Sequence, residues 1–109
     1  MNKLVFKYLK ENVKGVSIGE SGKYYTFYVD NTCCEDYEFE IEKTTTKQEL
    51  EEIINYCDSF DVGDHFNMWY GANNGEPSDP QDLLDNCKEI NENLQDLKYH
   101  CEVVVLLKL

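Results

Sequence analysis

Arginine is absent from the sequence, and ten lysines stand against 22 acidic residues, for a formal charge of −12. A chain of that sign repels phosphate backbones and anionic lipid headgroups. It also has no Lys/Arg cluster with which to neutralise phosphates. Direct nucleic-acid binding and membrane docking are therefore not expected. Proline occurs twice and glycine six times, too rarely for a low-complexity linker. Long apolar runs are missing as well. The longest, residues 103–107, falls far short of the ~20 residues of a membrane-spanning helix. The run Leu4-Val5-Phe6 is broken at Lys7, before it reaches the ~7–15 residues of a signal-peptide core. These absences predict a cytoplasmic chain.

Cysteine points the same way. Cys33, Cys34, Cys57, Cys87 and Cys101 are odd in number and two are adjacent, which suits free thiols in a reducing compartment better than a disulfide framework. Catalytic and ligand signatures are also missing: no G-x-S-x-G, H-E-x-x-H, C-x-x-C, EF-hand loop or phosphate loop occurs. Neither a metal nor a cofactor is expected. His65 falls on an apolar helix face and reads as a core or half-buried residue, and His100 as a charge partner near a helix C-terminus. A thiol enzyme using Cys33 or Cys34 with a histidine ranks last.

What the chain does contain is enough apolar material for a core. It is 41% hydrophobic and 13% aromatic over 109 residues, which fits one domain, residues 1–109. Residues 2–14 set Lys3, Lys7, Lys10 and Lys14 on one helical face and Val5, Phe6, Leu9 and Val13 on another, with Gly15 as the C′ residue. A strand near 16–18 is left open. Residues 23–30 are the best strand, with Tyr25, Phe27 and Val29 on one side and Tyr24, Thr26 and Tyr28 on the other. Gly19 and Gly22 read as turn residues before it. Residues 36–43 alternate as a half-buried second strand, joined to the first by the short connection 31–35. A capping box from Thr46 to Glu49 should open a helix bearing Leu50, Ile53, Ile54 and Cys57. Val62, His65, Phe66, Trp69 and Tyr70 predict a shorter helix closing at Gly71. Asp79 and Pro80 should open the longest, with Leu83, Leu84, Cys87, Ile90, Leu94, Leu97 and Cys101 at three- or four-residue steps. That stripe suits packing across the sheet or pairing with a copy of itself. Residues 103–109 fit either a helical extension or a strand. The expected fold is α+β, a small antiparallel sheet covered on one face by three or four helices.

Charge is distributed unevenly. Residues 1–23 hold five lysines and two glutamates, a net +3, and the remainder five lysines and twenty acids, a net −15. On the second strand Asp36, Glu38, Glu40 and Glu42 share the outer face. They should repeat at roughly 6.5–7 Å, twice the rise per residue, close to the phosphate spacing of a nucleic-acid strand. Glu49, Glu51, Glu52, Asp58, Asp61 and Asp64 are placed to extend the patch. The expected site is thus an acidic protein-binding face, Asp36, Glu38, Glu40, Glu42, Glu49 and Glu52, directed at a basic surface on a protein. A charge run on a half-buried strand also serves simply to face water.

Phe60-Asp61 with His65 and Trp69, in the pattern F-D-x-x-x-H-x-x-x-W, is followed by Gly75-Glu76-Pro77-Ser78 and the leucine-spaced helix. This combination resembles small uncharacterised acidic proteins of Gram-positive phages and mobile elements. By size and charge alone, such proteins are similar to anti-CRISPR and antirestriction inhibitors of host defence nucleases. The resemblance implies no catalytic residue. It favours a nucleic-acid mimic that occupies the basic groove of a nuclease, with a homodimeric accessory protein as the alternative.

Overall fold

The computed structural model of the protein describes residues 1–29, 37–43, 48–72 and 79–107. The connection 31–35, the Cys33-Cys34 pair, Asp36, the Thr46 cap and the turn 75–78 lie outside these residues. Element order is α1(Lys3–Asn12), β1(Ser17–Ser21), β2(Tyr24–Val29), β3(Tyr37–Glu42), α2(Gln48–Ser59), α3(Val62–Ala72) and α4(Pro80–Leu107). A three-stranded antiparallel sheet in the order β1-β2-β3 therefore packs with four helices, as the α+β reading expected.

The Asn2 side chain caps α1 by accepting the Val5 N–H at 2.8 Å. The helix ends at Val13, whose N–H donates to the Leu9 carbonyl, short of the Gly15 terminus that the sequence pattern suggested. The reason is tertiary: Val13 and Val16 are both drawn into the core as the chain extends. Gly15 serves a different purpose, because a Cβ there would overlap the Asn93 side chain of α4. The chain then forms β1, which its composition barely announces. Gly22, at φ 58°, takes the left-handed position that a two-residue hairpin favours, and Ser21 pairs with Tyr24 across it. Gly19 is no turn residue but sits inside β1, opposite Thr26.

The alternation expected of β2 and β3 is realised. Tyr25, Phe27 and Val29 are buried, as are Phe39 and Ile41, and Phe27 stacks on its cross-strand partner Phe39 with ring centroids 4.7 Å apart. Helices α1, α2 and α4 each lie against a strand on this side, and α3 rests on α4.

Asp79 opens α4 by accepting the Gln81 N–H at 3.0 Å, with Pro80 as the first helical residue. Leu83, Cys87, Ile90, Leu94, Leu97, Cys101 and Val104 form its buried stripe. The stripe is used up inside the chain and is not free to pair with a copy. Residues 103–107 extend the helix, which decides between the two possibilities left by their sequence. At 1.5 Å per residue its 28 residues span about 42 Å, nearly the whole 46 Å long axis of the molecule. His100 therefore lies well before the helix end. It pairs with the Tyr8 hydroxyl through Nδ1 at 3.0 Å and with Asp96 through Nε2 at 3.5 Å, which ties α1 to α4.

Glu49 departs furthest from expectation. Only 1% exposed, it forms an ion pair with the Met1 ammonium, and the Tyr25 hydroxyl holds the Met1 carbonyl at 3.3 Å. Removing one partner of a buried pair strands the other charge. Glu49→Ala is accordingly expected to destabilise the fold by about 3–5 kcal/mol in urea unfolding. Glu52→Ala, at an exposed position of the same helix, should stay within about 0.5 kcal/mol.

Candidate functional site

Because the described helices that touch the sheet all lie on one side, no described helix crosses the other side. Antiparallel sheets tolerate this when the second face is polar, and the register shows how it is made so. Three rows cross the strands: Ser17–Tyr28–Glu38, Gly19–Thr26–Glu40 and Ser21–Tyr24–Glu42. Small residues occupy one edge, an aromatic or threonine the centre, and a glutamate the other edge. Tyr24 is 40% exposed, and Glu38, Glu40 and Glu42 are all exposed. The middle row is low, and a groove of about 410 Å³ runs along it beside Tyr28, Glu38 and Glu40.

None of the three glutamates has an ion-pair partner among the described residues. The nearby Lys43 is engaged elsewhere, 3.4 Å from Glu20 and over the Tyr25 ring. Carboxylates about 7 Å apart repel by roughly 0.6 kcal/mol per neighbouring pair in a water-like medium. The face thus holds a standing repulsion that a cation would relieve.

The structure divides the six acids expected to form one face. Glu38, Glu40 and Glu42 come together. Glu52 is exposed on α2, the helix that packs on the opposite side of β3 through Ile53, Cys57 and Tyr56. Glu49 is a correction: it is buried against the N-terminus and offers nothing to a partner. Asp36 lies outside the described residues. Of the remaining acids, Asp58 is neutralised by Lys98 at 2.7 Å, a bond that also raises the lysine's pKa. Asp61 caps α3, accepting the Asp64 N–H at 2.8 Å. Tyr24 and Tyr28 are the residues that sequence reasoning overlooked for this site. Their alternation with Tyr25 and Phe27 was the available signal.

His65 is buried, as expected, against Tyr37, Phe60 and Trp69. Trp69 is only half-buried, so its truncation should cost less than the about 3–5 kcal/mol lost with a fully buried ring. Among the described residues no three His, Cys, Asp or Glu side chains converge as a metal site. No described helix is long and apolar enough to cross a membrane.

The described cysteines, Cys57, Cys87 and Cys101, are fully buried. Burial pushes the Cys57 and Cys101 thiols up to about 12 from an ordinary value of 9.0. A thiol held neutral in the fold stabilises it fully below the unfolded value and loses that contribution as pH rises above it. Stability should therefore decline from about pH 9 towards 12. At pH 8, Cys57 and Cys101 should resist a disulfide reagent until denaturant is added, as followed by mass mapping of the modified thiols.

Compared with known proteins, the chain matches no family model, no curated protein sequence and no solved structure.

Proposed function

We propose that this protein is an acidic binding module that docks its open sheet face onto a basic surface of a protein partner. The observation that carries the reading is the row Glu38, Glu40 and Glu42, exposed and without an ion-pair partner among the described residues, on a sheet side that no described helix covers. Two tyrosines stand beside it. Tyrosine supplies an apolar body with a polar tip and is enriched where proteins meet. Glutamates are commonly depleted there, so an acidic face of this kind favours a partner rich in Lys or Arg.

Basic grooves that ordinarily hold phosphates provide that chemistry, and three carboxylates at roughly phosphate spacing suit them. The best-fitting partner is a nucleic-acid-processing enzyme. The small size and the overall charge of −12 favour an inhibitor of a host defence nuclease, of the anti-CRISPR or antirestriction type. In this reading the protein acts by occupancy and carries out no reaction.

A second reading draws on the end of α4, where Val105, Leu106 and Leu107 are 49%, 79% and 61% exposed. Exposed side chains of this type favour self-association. Sedimentation velocity over a concentration series tests it, since a monomer throughout would remove the dimer.

The principal test is a DNA-cleavage panel of restriction and RNA-guided nucleases assayed with the protein added. At least one should be inhibited. Inhibition should weaken as salt rises, and the triple variant E38Q/E40Q/E42Q should lose it with unchanged circular dichroism. Equal inhibition by the triple variant would contradict the proposal, as would a panel in which no nuclease is inhibited.

A further inference from the structure

The residues of the F-D-x-x-x-H-x-x-x-W pattern gather at the α2–α3 junction, where Phe60, Asp61 and His65 line a pocket with Tyr37, Asp64 and Met68. Tyr37 shares the strand parity of Phe39 and Ile41, so this pocket opens on the opposite side of β3 from the glutamate row. Its volume is about 260 Å³, below the ~300–1,000 Å³ of pockets that hold drug-sized ligands. It accommodates a head group and little more.

Three of its lining residues form one aromatic cluster. Tyr37 and Phe60 meet at 72° with centroids 5.0 Å apart, Tyr37 and His65 at 82° and 6.2 Å, and Phe60 and His65 at 49° and 5.1 Å. Its rim is anionic. Asp61 and Asp64 are exposed and have no ion-pair partner among the described residues, and no lysine lines the pocket. Met68, 58% exposed, adds a polarizable thioether.

We infer that this pocket binds an alkylammonium group. Aromatic faces attract cations electrostatically, most strongly when the cation is desolvated. The two carboxylates complement the same charge and repel anions, while a neutral apolar ligand would bury them without compensation. The group is either a lysine side chain, methylated or not, on a protein partner, or a small free amine of the choline type. This site does not depend on the sheet-face proposal and is separable from it.

Trp69, the only tryptophan of the chain, has its ring 6.3 Å from that of His65 and so reports on the pocket. Its fluorescence would be titrated with choline chloride, with blocked lysine and with blocked trimethyl-lysine, against sodium chloride at matched ionic strength. A saturable change with the ammonium compounds and none with sodium is expected. D61N retains a capping side chain but removes a charge. D61N and F60L should each weaken binding about tenfold, and E38Q/E40Q/E42Q should bind like the parent. Tighter binding of the blocked lysines would identify a protein side chain as the ligand, and tighter binding of choline a free amine. The inference is overturned by the absence of any saturable change, or by equal affinities for the parent and D61N.

Discussion

The buried stripe of α4 is the constraint on which the rest of the molecule depends. Seven side chains from Leu83 to Val104 line one face of a helix that runs nearly the length of the protein. Helices α1, α2 and α3 and strand β2 each pack on it. An apolar stripe on a single helix can be buried only by elements gathered along it. The sheet therefore meets its helical layer on one side, and its second side is left to water. The exposed face is thus a consequence of how the core is built, and the residues placed on it must suit solvent or a partner.

Those residues satisfy two demands at once. Edge strands invite pairing with other chains, and charged side chains on the edge discourage it; the three glutamates of β3 do this. Their mutual repulsion is not absorbed by Lys43, which is engaged with Glu20, and in the proposed reading a cationic surface would relieve it. Solvation and binding differ in their use of the central strand. Glutamates suffice for solubility alone, whereas exposed Tyr24 beside Thr26 and Tyr28 supplies contact area that a merely solvated face does not need.

Much of this was legible in the sequence where local pattern and tertiary burial agree. The alternation of β2 and β3 and the three- or four-residue steps of α4 both report a face that is buried, and each reappears with small changes: Leu84 and Tyr37 are only half-buried, and Val104 joins the α4 stripe. Strand β1 was left open near residues 16–18 and its extent to Ser21 was not foreseen, because Ser-Ile-Gly-Glu-Ser has little β propensity and is held by its pairing with β2. Glu49 was misplaced for a related reason. At the start of a helix a glutamate looks like a capping or surface residue, but its partner is the ammonium group 48 residues away. The end of α1 and the position of His100 were likewise set by contacts with the core and with Tyr8, which no local pattern contains. For the candidate face, alternation showed which strand acids point outward. Where the acids of other elements fall depends on helix packing, and that separated Glu52 and Glu49 from the row.

The central claim is that the uncovered sheet face is the surface that meets a basic partner. Backbone amide shifts of the isotope-labelled protein, titrated with an oligolysine peptide at low salt, test this most directly. The account predicts saturable, salt-sensitive shifts concentrated at Tyr24, Thr26, Tyr28 and Glu38 to Glu42. Shifts confined to the outer surface of α2 or to the exposed end of α4, or spread evenly over every acidic residue, would contradict it.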